Sequence, residues 1–404
     1  MMLATLSKKI VASNSYLLMI LIFLIPITTA GSSVLSALIL FCWLLIADFK
    51  NDWKLVASNP VAVASLFIFG LHIVGLLWTD DMTWGLVFLK KSAKFLMLPV
   101  FMLYVKQQHI KYYITAFISS MMLSELLSYG IWFEIIKPFN HATASNPTPF
   151  VSHIIYNPFL ALAIYILLSQ FILERRQPIW IGLLNIIFLL TMTCNMFITG
   201  GRSGYIGLIG MLCLLVFQRF KGQFVKALIL SIVFCSIVFG VAYSAKGLFK
   251  SRVDQTFYSL KHYNEQKNTS AGKRLTWTIN GFELFLKHPL IGVGTGDFKR
   301  EMAGIHQHNS PGIEAPHNPH NMYILWMGQF GVLGIFAVLW LFYSQFRMAL
   351  YSNNPLIKHL GVALPVLYFI VNFGESYLSL HASGLLFAVM SAFLYRNYEW
   401  KQVS

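Results

Sequence analysis

The sequence predicts an all-α polytopic membrane protein with about twelve transmembrane helices and one long, partly helical loop on the outer face. Three observations predict it. The 404-residue chain is 57% hydrophobic and only 11% charged, whereas a soluble domain is about a quarter charged. Apolar runs of roughly 20 residues, the length that crosses a bilayer, recur along it. Its 30 Lys and Arg stand against 15 Asp and Glu, and the excess alternates from one side of these runs to the other. So few charges cannot furnish a water-facing surface, which excludes a soluble enzyme and a disordered chain.

The apolar runs fall at 13–30, 32–47, 61–78, 86–105, 112–133, 153–173, 179–198, 203–217, 227–243, 320–343, 359–373 and 378–395. Many are bounded by Gly, Pro, Asn or charge. Lys8 and Lys9 precede the first run, but no small-x-small cleavage site follows it, so a cleaved leader is not expected. With the N-terminus inside, the inner segments carry Lys8, Lys9, Lys50, Lys54, Lys106, Lys111, Arg175, Arg176, Arg219, Lys221, Lys226, Arg347, Lys358, Arg396 and Lys401. The short outer loops carry only Lys137 and Arg202. That asymmetry sets both termini on the cytoplasmic side. The expected organisation is residues 1–243 with nine spans, 244–319 as a large periplasmic loop, and 320–404 with three spans and a cytoplasmic tail. Cys42, Cys194, Cys213 and Cys235 all lie in apolar runs without metal-site spacing and read as small core hydrophobes.

The remaining basic residues are Lys90, Lys91 and Lys94, at the outer start of the fourth run, and ten in the long segment 244–319. Long loops escape the positive-inside rule. Within the segment, Leu275, Ile279, Phe282 and Leu286 recur at helical spacing, and Gly292-Val293-Gly294-Thr295-Gly296 makes a turn. That turn lacks the Lys-Ser/Thr ending of a phosphate loop.

Four places carry groups suited to chemistry. His317-Asn318-Pro319-His320-Asn321-Met322-Tyr323 opens the tenth span from the outer side. A helix start favours a neutral imidazole, the form a general base needs; the plainer role is a cap or packing group. Thr199-Gly200-Gly201-Arg202-Ser203-Gly204 places one permanent charge among residues small enough to admit a ligand, or else an anchor. Arg274 and Trp277 share a helix face at i, i+3, or are merely solvated. Lys90, Lys91 and Lys94 form an outer cluster that also suits lipid headgroups. Asp80-Asp81 reads as a solvated turn. Glu125 and Glu134 are taken as the only acids in or beside a span, fewer than proton-coupled transport uses. No carboxylate cluster suits a divalent cation and no cofactor is expected. Cations and a histidine at one membrane face suit transfer from a lipid diphosphate. Its leaving group needs charge stabilisation, and the attacking hydroxyl needs a base.

At these residues the chain resembles the O-antigen ligase family, within the O-antigen ligase and polymerase superfamily. The pieces are Thr199–Gly204, then Arg274-Leu275-Thr276-Trp277 running on to His288-Pro289-Leu290-Ile291-Gly292-Val293-Gly294, then Pro319-His320-Asn321-Met322-Tyr323 with Gly328, Gly331 and Gly334. Their order is more specific than any one of them. The resemblance implies a GT-C-like, metal-independent, inverting glycosyltransferase of the bacterial inner membrane, its site facing the periplasm. It would move a glycan from undecaprenyl diphosphate to a sugar hydroxyl of lipid A-core. Arg202 and Arg274 would bind the diphosphate and His320 would act as base, with His317 the rival. Lys90, Lys94, His317, Asn321 and Tyr323 are expected to bind substrate. Membrane lipids are expected partners and nucleic acid is not. The alternatives are an O-antigen polymerase, a protein O-oligosaccharide ligase (disfavoured because the chain ends soon after Arg396) and a transporter.

Overall fold

The computed structural model describes residues 2–140, 142–173, 178–244 and 247–396, without the side chains of residues 2–12 and 248. Arg175, Arg176, Lys246 and Lys401, used in the charge reading, lie outside the described residues. Described residues form α-helices and 3₁₀ turns, with no strand among them. The helices are α1 (Met2–Leu24), α2 (Thr29–Ile46), α3 (Phe49–Ala57), α4 (Pro60–Val74), α5 (Met82–Tyr104), α6 (Ile110–Trp132), α7 (His153–Ile172), α8 (Ile179–Thr199), α9 (Arg202–Arg219), α10 (Phe224–Ser244), α11 (Leu248–Lys261), α12 (Ser270–Lys287), α13 (Phe298–Asn309), α14 (Met322–Phe330), α15 (Val332–Tyr351), α16 (Pro355–Val371) and α17 (His381–Leu394).

Among the described residues, seven helical stretches are long and apolar enough to cross a membrane: Thr29–Ile46, Pro60–Trp78, Gln107–Trp132, His153–Ile172, Ile179–Thr199, Phe224–Ser244 and Val332–Tyr351. Shorter apolar helices lie at Ser13–Leu24, Pro355–Val371 and His381–Leu394. The chain is thus an integral membrane protein. Helices α7 and α17 are buried on nearly every side, whereas α2, α8 and α10 expose leucines, isoleucines and phenylalanines broadly, as lipid-facing helices do. Cys194 is exposed on α8, and Cys42, Cys213 and Cys235 are only half-buried; none is the core residue expected, and Cys213 on α9 faces Cys235 on α10, their sulfurs 3.3 Å apart.

The expected tenth span, 320–343, is two helices. Gly331 breaks it with φ 62° and ψ −143°, so α14 packs on α12 and only α15 continues, against α4 and α16. The break has a cause. The 289–296 loop wraps the end of α14: Val293 N donates to Gly328 O at 2.9 Å, Gly294 N to Gln329 O at 3.0 Å and Val332 N to Pro289 O at 2.8 Å. The same loop reaches α4, where Thr295 N donates to Gly75 O at 3.2 Å and Thr295 Oγ1 to His72 O at 2.8 Å. Buried Asp297 then accepts the backbone N–H groups of Asp80 and Asp81 at 2.8 and 2.7 Å. The Asp80-Asp81 turn is therefore where the long segment docks, not only a solvated corner. The Gly-rich turn is a clasp.

Helix α12 forms where the periodicity placed one, but Ile279, Phe282 and Leu286 are exposed and Thr276, Asn280 and Leu284 are buried. The apolar stripe points outward, because the inner neighbours of α12 offer polar partners: Tyr263 Oη lies 2.8 Å from Thr276 Oγ1 and Asn280 Nδ2 donates to Ser310 Oγ at 3.3 Å.

A methyl group on Gly331 would stand 2.4 Å from Pro289 O, and its backbone angles are open essentially to glycine alone. Gly331→Ala should cost on the order of 1–3 kcal/mol or more, read as a lowered Tm of the purified protein. Gly70→Ala, where a methyl meets nothing within 4 Å, is the neutral control.

Candidate functional site

Three helices start at one place. The first residues of α7 (His153, Ile154), of α9 with its preceding turn (Gly200 to Gly204) and of α12 (Ser270, Arg274) line a cavity of about 100 Å³, with Arg252 of α11 and Gly374 closing it. The sequence enforces the approach. Gly200 ends α8 with φ 68°, and Thr199 Oγ1 donates to Asn157 Oδ1 of α7 at 2.7 Å. A side chain on Gly201 or Gly204 would stand 2.5 or 2.2 Å from Asn157, so only glycine lets α9 begin this close to α7. Arg202 is thereby carried to the cavity as the first residue of α9.

The electrostatics are one-sided. Arg202, Arg252 and Arg274 converge with three helix N-termini, each a partial positive charge, and no carboxylate lines the cavity. Helices α7 and α9 lack a side-chain cap, which leaves their first N–H groups open to a ligand. Arg202 and Arg274 are half-buried and Arg252 is exposed. Arg274 Nη1 donates to Gly374 O at 3.3 Å.

Glu375 is the next residue, and it was missed: the acids expected near spans were Glu125 and Glu134 only. It lies between α16 and α17 and is buried. Its Oε2 accepts from Nδ1 of His320. Its Oε1 accepts Asn318 Nδ2 at 2.5 Å and the Ser376 N–H at 2.8 Å. Asn318 Oδ1 in turn accepts His320 N at 3.0 Å and Ser376 Oγ at 2.7 Å. Burial alone would raise the Glu375 carboxyl, but its bonds from His320, Ser376 and Asn318 outweigh it and hold it below the ordinary carboxylate value. In its neutral form, a His320 that gives Nδ1–H to this anion carries its lone pair on Nε2. His320 holds a left-handed φ of 55°, uncommon for a residue with a side chain, and Trp277 stacks on its ring at 5.5 Å between centroids. Arg274 and Trp277 thus use one face of α12 for the cavity and the histidine.

The other expected residues separate. His317 stacks on Trp84 with 3.3 Å between centroids, and burial followed by the Lys299 ammonium lowers its pKa, leaving the ring neutral. Asn321 caps α14, accepting Tyr323 N at 3.0 Å and Ile324 N at 3.2 Å. Tyr323 is buried and donates its hydroxyl to Phe369 O at 2.7 Å. The side-chain oxygens of both are thus bonded within the protein. Lys90 is exposed, whereas Lys94 is buried and donates to Leu380 O at 2.9 Å. Gly384 makes its room: a methyl there would stand 2.3 Å from Lys94 Cδ. Arg252 and His153 carried no local signal. Glu375 had one, an acid between Gly and Ser in the short connection of two apolar helices. No group of three or more His, Cys, Asp or Glu side chains among the described residues could hold a metal ion.

A family model described as O-Antigen ligase matches residues 187–339, the stretch that supplies Arg202, Arg252, Arg274, Trp277 and His320. No curated protein matches the chain. Ligases and polymerases of this family are glycosyltransferase-like and act on lipid-linked glycans. Residues 187–339 thus resemble the O-antigen ligase family.

Proposed function

We propose that the protein is an O-antigen ligase of the bacterial inner membrane, with both termini cytoplasmic, about twelve spans and its site open to the periplasm. It transfers a glycan from undecaprenyl diphosphate to a sugar hydroxyl of lipid A-core, with inversion and without a metal. The single observation that carries this reading is the adjacency of the all-cationic cavity and the His320–Glu375 pair, joined through consecutive residues 374 and 375.

The chemistry follows from the geometry. Arg202, Arg252 and Arg274, with the N-termini of α7 and α9, hold the diphosphate. The acceptor hydroxyl loses its proton to His320 Nε2 as its oxygen attacks the anomeric carbon. The bond from that carbon to the phosphate oxygen breaks, and the electron pair leaves with undecaprenyl diphosphate. The arginines are aimed at the charge that develops there. Glu375 fixes the His320 tautomer and stabilises the imidazolium that forms. His317, stacked on Trp84, has no comparable partner, which supports His320 as base.

Deleting the gene should leave long glycan on undecaprenyl diphosphate and bare lipid A-core, and His320→Ala should reproduce that profile with the protein still inserted. Single repeat units capping the core would instead identify a polymerase. Arg202→Lys keeps the charge but loses the two-pronged grip, so transfer should fall by about tenfold or more; wild-type rates would reduce Arg202 to an anchor. Glu375→Gln should lower kcat by roughly 10²-fold, the lower end of what general-base catalysis contributes. Because the folded carboxyl lies below its ordinary 4.5, its stabilisation is complete above that pH and is lost as pH falls through the lowered value. The Tm gap between wild type and Glu375→Gln should therefore be full at neutral pH and close in acid.

A further inference from the structure

Lys91 is unlike Lys287, Lys299 and Arg300 of the outer segments. Lys287, Lys299 and Arg300 each pair with a carboxylate, Glu283, Glu314 and Asp80, at 2.8–2.9 Å. Lys91 is exposed and pairs with none among the described residues. Its ammonium is held over the rings of Phe88 and Trp84, 5.1 and 5.9 Å from their centroids. It is close enough to Glu375 to interact with it electrostatically, and close enough to His317 for the same. His317, stacked on the Trp84 ring, keeps a buried Nδ1 with no hydrogen-bond partner. The nearby acids are occupied: Asp81 caps α5 through Trp84 N, and Glu314 takes Lys299.

The chain ties this patch to the reacting pair. His317 meets Trp84 while its neighbour Asn318 holds Glu375. Gly374 meets Arg274 while its neighbour Glu375 holds His320. The pair therefore adjoins two cationic regions by two routes, and Lys91, Trp84 and His317 are absent from the walls of the arginine cavity. If that cavity takes the donor diphosphate, the second region is left for the other substrate.

We propose that Lys91 and His317, set by Trp84 and Phe88, form the acceptor subsite, and that it takes a sugar bearing an anionic substituent, phosphate or carboxylate. The inference rests on the ligase reading above. The ammonium supplies the counter-charge, and the stacked aromatic rings fix its position at low entropic cost.

The test uses the full-length protein in vesicles with a lipid-diphosphate-linked glycan and three acceptors: intact core glycolipid, the same glycolipid after phosphatase, and the same after carboxyl reduction. Lys91→Ala should raise KM for the intact acceptor about tenfold, the scale of one charge-assisted contact, and leave KM for the donor unchanged. Lys91→Arg should restore it. Wild type should show the same rise on one of the two treated acceptors, which names the substituent, and Lys91→Ala should add nothing there. Lys137→Ala, at an exposed loop lysine, is the control. An equal effect of Lys91→Ala on all three acceptors, or an effect on donor KM alone, would overturn the subsite. A wild-type protein that transfers to no acceptor would overturn the ligase reading and this one with it.

Discussion

Repulsion among Arg202, Arg252 and Arg274 is the constraint on which this structure turns. Like charges gathered at three helix starts, with no lining carboxylate, cost free energy in the empty protein. Packing elsewhere must hold them. Glycines 201 and 204 press α9 onto Asn157 of α7, and neither helix can withdraw without opening a gap in a buried interface. Arg202 has nowhere to go. On the proposed function, an incoming anion would relieve that repulsion, so the cavity would select for charge before shape.

Arg252 and Arg274 come from a segment outside the apolar bundle, so their placement depends on docking. The clasp around Gly292, Gly294 and Asp297 supplies it: one carboxylate receives two backbone N–H groups at the head of α5, and two backbone donors seal the turn against α14. These bonds lie in a buried loop, where an unmade bond costs more than in water. The same clasp ends α14 at Gly331. The short α14 presents Asn321 as its cap, and the cap sets the direction in which His320 leaves the helix. The arginines proposed to grip the donor and the histidine proposed as base are thus held by one device.

Much of this was legible in the sequence because membrane proteins write their topology in composition. Apolar length is a local signal, and each expected run contains a helix. Arg202, Arg274 and His320 could be picked out because each is a lone polar group in an improbable setting. The rest depended on distance in space. Nothing near Arg252 distinguishes it from Lys250 or Lys261. Glu375 lies 55 residues from His320, in a short connection between two apolar runs. The stripe of α12 was correctly helical, yet its orientation depends on which side offers Thr276 and Asn280 their partners. The break at Gly331 was invisible because Phe330 and Val332 are as apolar as any span.

The two junctions, 317 to 318 and 374 to 375, have a consequence for how the protein can vary. Neighbouring Cα atoms are about 3.8 Å apart, so each junction is a ruler of one peptide unit between regions that must cooperate. Loops usually absorb inserted or deleted residues with little harm. These two cannot, because a single extra residue at either junction would turn one of its two contacting groups away from its partner. Their length is fixed, the reverse of what surface connections ordinarily allow.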